Sequence, residues 1–160
     1  MKQIMVSGVG GQSVRVISHA LALALQQLGF HVTLLYDYDS VIRGGKIVAY
    51  LKFDERPIDN PHIDQADILL MLADKEKGLV AQRTICDSGL CTDEEIPFGQ
   101  LGVEKFGRAI FGNMIALGRL LRLVDVDIDK FDLRKALPKS LQEENVRAVQ
   151  AGFDLNLWED

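Results

Sequence analysis

The chain has 160 residues, of which 48% are hydrophobic and 26% charged, with a net charge of −5. That is the usual size of one domain with a real core, and an acidic balance gives no general attraction to nucleic acid or to an anionic membrane. Two cysteines, Cys86 and Cys91, are too few for a secreted disulfide scaffold or for an iron–sulfur cluster of the four-cysteine kind. No apolar run reaches membrane-spanning length, because the stretch 14–28 is interrupted by Arg15, His19 and Gln26. The N-terminus lacks the pattern of a signal peptide, so a soluble cytoplasmic protein is expected.

The elements follow in order. Residues 3–7 form a short apolar run stopped by glycines, which reads as a buried strand entering a tight turn. Residues 12–28 are rich in Ala and Leu and stop at Gly29, the residue type favoured just past a helix. Residues 31–36 are β-branched and apolar, a second strand. Strand, glycines, helix and strand in about thirty residues make a parallel βαβ unit. After a polar loop over 37–45, residues 46–53 form a third strand. Pro57 and Pro61 mark another loop, and the continuous apolar run 67–73 is typical of a strand buried on both faces.

Residues 74–81 carry one or two helical turns and 83–86 a short strand. Gly89, Pro97 and Gly99 make 87–102 irregular. The remainder is helical. Residues 109–123 show helical spacing, 129–137 start at a capping Asp129 and stop before Pro138, and 140–152 open on a capping box of Ser140 with Glu143. The fold class is α/β, Rossmann-like: one domain over 1–160, a mostly parallel sheet with helices on both faces, and a helical C-terminal third.

The turn after the first strand reads Gly8-Val9-Gly10-Gly11-Gln12-Ser13. Glycines between a strand and a helix let an anion approach bare amides at the positive end of the helix dipole. The dinucleotide fingerprint places Gly at its first, third and sixth positions, and here the sixth is Ser13. No lysine follows at the P-loop position, so a Walker site is excluded. Asp37 and Asp39, near the end of the second strand, suit a ribose hydroxyl or simply a polar loop. Arg43 before Gly44-Gly45 suits a phosphate or carboxylate, or a pairing with one of those aspartates.

Four stretches together resemble the gamma subunit, or gamma domain, of the 2-oxoacid:ferredoxin oxidoreductases. They are Gly8-Val9-Gly10-Gly11-Gln12, Ser40-Val41-Ile42-Arg43-Gly44-Gly45, Asn113-Met114-Ile115-Ala116-Leu117-Gly118, and Asn145-Val146-Arg147-Ala148-Val149-Gln150-Ala151-Gly152. Their order and spacing cover nearly the whole chain. The family usually has Gly where Ser13 stands, and often Glu and Gln where Val41 and Ile42 stand.

The resemblance implies a non-catalytic subunit of an enzyme of the pyruvate and 2-oxoglutarate class. Such enzymes decarboxylate a 2-oxoacid on thiamine diphosphate, pass electrons through iron–sulfur clusters to ferredoxin, and transfer the acyl group to coenzyme A. Thiamine diphosphate, Mg and the clusters are then expected in alpha, beta and ferredoxin-like delta subunits. This chain would hold no cofactor alone but would contact coenzyme A. Gly8, Gly10, Gly11, Gln12 and Ser13 would form an anion-facing loop, with Ser40, Arg43, Gly44 and Gly45 beside it. The rivals are a stand-alone NAD(P)-binding oxidoreductase, for which no catalytic constellation can be assembled, and a scaffold with a vestigial glycine loop.

The other chemistry-bearing residues read as structural. Asn113 serves as a helix cap or as a polar anchor at a subunit seam, the cap being preferred. His19, His31 and His62 are not spaced as metal ligands. Cys86 and Cys91 lack the C-x-x-C spacing of a redox pair and read as free thiols. Val41 and Ile42 are apolar residues in a loop and suit a partner-facing edge or the chain's own sheet. Trp158 suits a clamp or a partner contact.

Overall fold

The computed structural model describes residues 1–9, 12–38, 45–73, 79–91 and 94–156, with Gln12 entering as backbone only. The order of elements is β1 (Lys2–Val9), α1 (Gln12–Gln27), β2 (His31–Tyr38), β3 (Lys46–Asp54), β4 (Ala66–Met71), β5 (Ala81–Cys86), β6 (Glu94–Glu95), α2 (Phe98–Phe106), α3 (Phe111–Leu123), a 3-10 turn (Ile128–Lys130), α4 (Leu133–Ala136) and α5 (Gln142–Phe153). Six strands form one sheet in the order β2-β3-β1-β4-β5-β6.

The sheet is mostly parallel, as the βαβ reading requires, with one antiparallel strand. β1 pairs parallel with β4, β4 with β5, and β5 with β6, whereas β3 runs antiparallel to both β1 and β2. β1 and β2 therefore point the same way but are not neighbours: β3 is wedged between them, with Val6 opposite Ala49 and Ala49 opposite Tyr36. Because β3 runs backwards, it ends on the side where β4 begins, and the loop 55–65 joins them without a crossover helix. Gly29 closes α1 with φ of 90°, the left-handed conformation that glycine adopts freely.

Side chains alternate across the sheet. Ile4 and Val6 of β1, Ala49 and Leu51 of β3, Ile68 and Leu70 of β4, and Ile85 of β5 join one large core. α1, α2, α3 and α5 all contribute to this core, α1 through Val14, Ile17, Leu21 and Leu25. Met5, Val48, Leu69, Met71 and Cys86 point to the reverse face and form a smaller cluster with Ile63, Leu79, Leu90 and Cys91. Among the described residues, the part of that reverse face near Ile63 and Leu90 is covered by loops. Lys52, buried on the reverse face, donates from Nζ to the carbonyls of Asn60 and His62, 2.7 Å each, and ties the loop down.

Several local expectations are also corrected. α2 lies inside the stretch expected to be irregular: Gly99 is helical with open space around it, and Gly102 serves packing rather than turning. A Cβ on Gly102 would sit 2.6 Å from the backbone nitrogen of Gly112 on α3. Residues 129–137 form not one helix but two short turns, since Asp127 and Asp132 each cap one by accepting from the amides of Asp129 and Arg134. The capping box at Ser140 does not form. α5 starts at Gln142 behind a left-handed Leu141 (φ 53°), and Glu143 pairs with Arg134 instead. β5 runs from Ala81 rather than from residue 83, and residues 74–78 lie outside the described residues.

The cysteines are not free: Cys86 and Cys91 are joined in a disulfide. Cys86 ends β5, and a turn in which the Leu90 amide donates to the Asp87 carbonyl, with Gly89 at φ 79°, brings Cys91 back. A spacing of five residues is wrong for C-x-x-C but right for closing this turn, and the Cα atoms stand 6.0 Å apart.

Candidate functional site

β1 and β4 are where the sheet divides. The chain leaves β1 towards β2 on one side and continues from β4 to β5 and β6 on the other. In open α/β sheets a ligand sits outside the carboxyl ends of the strands at such a point. The carboxyl end of β1 leads into α1, so the positive end of the α1 dipole faces this edge. Leu72 follows β4 here, its amide donating to the Ser7 carbonyl at 2.8 Å.

Gly8 lies inside β1, opposite Ile47 of β3. A Cβ at Gly8 would stand 2.7 Å from Cγ2 of Val14, so this glycine lets α1 settle onto the strand. Close helix–strand packing is the task the fingerprint gives to its sixth position. With Gly8 performing it, the sixth position is free to carry a side chain. Ser13 uses that freedom: its Oγ accepts from Nδ2 of Asn113 at 3.0 Å.

Asn113 is therefore not a helix cap. It stands within the first turn of α3 and ties that turn to the first turn of α1. Asn145, in the first turn of α5, donates from Nδ2 to the Ser140 carbonyl at 3.2 Å and from its amide to Leu141 at 2.9 Å, holding the left-handed Leu141 in place. Ser13, Asn113 and Asn145 line one cavity of about 280 Å³, together with Phe111, Met114 and Leu141. Residues of the third and fourth stretches thus meet Ser13, the residue that follows the first.

The glycines that end the last two motifs explain why. A Cβ on Gly118 would lie 2.0 Å from the Val149 carbonyl oxygen, and one on Gly152 would lie 1.9 Å from that of Ile115. α3 and α5 cross with their backbones in contact, and that crossing brings Asn145 to the mouth of the cavity.

The second motif is represented only at its end. Gly45 is half-buried and precedes Lys46, which pairs with Val9 at the carboxyl end of β1. Gly10, Gly11, Asp39, Ser40, Val41, Ile42, Arg43, Gly44 and Trp158 lie outside the described residues, as does the Gln12 side chain. Asp37 lies in β2 rather than in a loop, and on the sheet's reverse face. There it lines a separate cavity of about 290 Å³ with Tyr50 and His62. β3 puts β2 two strand spacings, roughly 10 Å, from β1. An acidic residue on β2 is therefore displaced from the place where the dinucleotide fold uses it.

One anchoring cluster escaped the sequence reading. Glu94 of β6 accepts from Nε and Nη2 of Arg119 on α3 (2.9 and 2.6 Å) and from Nη2 of Arg83 on β5 (2.5 Å). With side chains only 12% and 13% exposed, Arg119 and Glu94 form a sheltered ion pair that fixes α3 against the sheet. No spacing rule links residues 94 and 119, so only the fold reveals it.

Among the described residues no group of three or more His, Cys, Asp and Glu side chains is placed to hold a metal ion. Both sulfurs are committed to one bond, so neither is free to ligate a cluster. These residues do not fit an iron–sulfur centre. Among the described residues no helix is long and apolar enough to cross a membrane.

Comparison with known proteins agrees with this picture. Residues 3–86 match the pyruvate ferredoxin/flavodoxin oxidoreductase family. The 2-oxoglutarate synthase subunit KorC of Archaeoglobus fulgidus is 32% identical over 95% of this chain and 86% of its own length. The gamma subunit of a keto/oxoacid ferredoxin oxidoreductase from Geobacter sulfurreducens superposes with a TM-score of 0.71 at 24% identity, covering 95% of this chain and 94% of that one. A similar fold (TM-score 0.68, 18% identity) covers 96% of this chain but 31% of the 2-oxoglutarate:ferredoxin oxidoreductase of Magnetococcus marinus, solved with 2-oxoglutarate, coenzyme A and succinyl-CoA bound. The chain belongs to the pyruvate ferredoxin/flavodoxin oxidoreductase family, as a gamma-type subunit of a 2-oxoacid:ferredoxin oxidoreductase.

Proposed function

We propose that this chain supports the partner subunits of a 2-oxoacid:ferredoxin oxidoreductase without performing a chemical step itself. Alpha, beta and ferredoxin-like delta subunits hold thiamine diphosphate, Mg and the iron–sulfur clusters, decarboxylate the 2-oxoacid in a coenzyme A-dependent reaction, and pass electrons to ferredoxin. The carrying observation is the composition of the cavity at the junction of α1, α3 and α5. Its polar side chains are Ser13, Asn113, Ser140 and Asn145; Ser13 and Asn113 are hydrogen-bonded to each other and Asn145 to backbone, and none of the four is a general base or has one beside it in the lining. The 2-oxoacid pocket belongs to the partners, and 2-oxoglutarate is the first substrate to try, given the relative from Archaeoglobus fulgidus.

The same reading gives the glycine turn a ligand-facing role. Gly8, Gly10, Gly11, Gln12 and Ser13, with Ser40, Arg43, Gly44 and Gly45 beside them, present amides and one guanidinium to an anion such as a phosphate of coenzyme A. The support is the position of the α1 N-terminus at the dividing edge of the sheet. Titrating the purified chain with coenzyme A, and separately with inorganic phosphate, should move the amide NMR signals of residues 10–13. If neither moves them at millimolar levels, the turn is structural. The NAD(P) alternative is disfavoured by β3, which displaces Asp37. The scaffold alternative fits only if the complex keeps its activity without this chain. We place the protein in the cytoplasm. A Cys86–Cys91 bond is rare in a reducing cytosol, so cell fractionation with thiol labelling tests this point.

A further inference from the structure

A second groove lies next to the cavity just described, on the outer side of α1. Arg15, His19 and Leu23 follow one another at four-residue intervals, so they form one stripe along the helix, roughly 12 Å long. Facing the stripe are Lys135 on α4 and Lys139 just beyond it. α4 is fastened to α1 by two hydrogen bonds: Gln27 donates from Nε2 to the Asp132 carbonyl at 3.0 Å and accepts from the Asp132 amide at 2.8 Å. The space between the banks is about 450 Å³, with Leu23 and Leu137 in its floor.

Its charge is unusual for this chain. The protein carries a net −5, yet the groove lining holds three fixed cations and a histidine and no acidic residue. Among the described residues Arg15, His19, Lys135 and Lys139 take part in no ion pair. The nearest acids in sequence are already engaged: Asp132 caps α4, and Glu143 is held by Arg134. Arg15 is set in place by donating to the Tyr38 hydroxyl, its guanidinium 5.2 Å from the centre of the Tyr38 ring.

We propose that this groove docks an acidic segment of a partner subunit, apolar on the side that meets the floor, in the assembled oxidoreductase. The proposal rests on the gamma-subunit reading above. An apolar floor with a charged rim is the arrangement of a protein interface. A phosphate site would call for bidentate arginine or a set of backbone amides, whereas here two lysines carry point charges on flexible stems and the one arginine is already engaged by Tyr38.

The test uses the complex made by co-expressing this chain with its partner subunits. Zero-length carbodiimide coupling should join Lys135 or Lys139 to an Asp or Glu of one partner. The double variant Lys135→Glu/Lys139→Glu should keep the melting temperature of the isolated chain and lose assembly at least tenfold. The control Lys105→Glu, on the exposed side of α2, should assemble normally. Changing the coupled partner carboxylate to Lys should restore assembly of the double variant. Two results overturn the proposal: normal assembly of the double variant, or amine labelling of Lys135 and Lys139 that is as fast in the complex as in the isolated chain. It also fails if pyrophosphate or coenzyme A shields the two lysines in the isolated chain while assembly does not, since the groove is then a small-anion site. If even the wild-type chain forms no complex, the gamma-subunit reading itself falls and this inference with it.

Discussion

Asn113 and Ser13 are separated by 100 positions in the sequence and joined by one hydrogen bond of 3.0 Å, which pins the first turn of α3 to the first turn of α1. The bond is part-buried, so losing either partner should cost about 1 kcal/mol. Urea unfolding of Ser13→Ala, Asn113→Ala and the double variant should give a coupling of roughly 0.5–1 kcal/mol. Ser13→Gly, which restores the dinucleotide fingerprint, should destabilise by about 1–2 kcal/mol, because it loses the bond and adds a helical glycine. Additive single effects would mean that the two residues act independently.

The crossing of α3 and α5 makes a sharper prediction. Gly118→Ala or Gly152→Ala puts a methyl within 2.0 Å of a backbone oxygen, so each should cost about 3 kcal/mol or more, or prevent folding. Gly99→Ala is the control. It lies in α2 with nothing within 4 Å of the new methyl, and should stabilise by about 0.5–1 kcal/mol through helix propensity. Thermal melts of the variants distinguish packing from a general intolerance of alanine.

The Cys86–Cys91 bond closes a short loop, for which chain entropy predicts roughly 2 kcal/mol of stabilisation. Mild reduction, or Cys91→Ser, should lower the denaturant midpoint accordingly. Alkylation of the native, unreduced protein should add no mass. Two alkylated cysteines in that experiment would contradict the bond.

Between α4 and α5, Arg134 holds both carboxylate oxygens of Glu143 at 2.9 Å. Hydrogen bonding to Arg134, then its charge, depresses the Glu143 pKa below its ordinary 4.5, and the same contact raises that of Arg134. A depressed carboxylate stabilises fully above its ordinary value and loses that contribution as pH falls through the folded value. The melting-temperature difference between wild type and Glu143→Gln should thus be present at neutral pH and shrink progressively as pH falls below the ordinary 4.5 and through the depressed folded-state value. It is small, because the pair is exposed. A difference that persists into acid would show that Glu143 acts through something other than its charge. Asp54 titrates low as well, chiefly through the Arg56 amide, but equally in both proteins.

Much of this architecture was legible in the sequence because periodicity reports local structure well. The first four strands and α1 follow from apolar runs and Gly29, and α3 from its helical spacing. What failed were readings in which one residue type serves two ends. Pro97 and Gly99 read as breakers but stand at the start of α2, whose Gly102 admits α3. Ser140 and Glu143 read as a capping box, but Glu143 has a better partner in Arg134. Five-residue cysteine spacing reads as unpaired until the turn at Gly89 is known. The antiparallel insertion of β3 was invisible because strand direction leaves no mark in a hydrophobic run. The cavity was half legible: its motifs were recognisable, whereas the contact between Ser13 and Asn113 depends on helix crossings that no local pattern encodes.

The most direct test of the central claim is to produce this chain alone and together with its thiamine- and cluster-bearing partners, and to measure 2-oxoacid-dependent, coenzyme A-dependent reduction of ferredoxin in each preparation. The account predicts a colourless, inactive isolated chain, co-elution with the partners when they are present, and reaction only in the assembled complex. Turnover by the isolated chain, a visible cluster spectrum with stoichiometric iron, or a fully active complex that lacks the chain would contradict it.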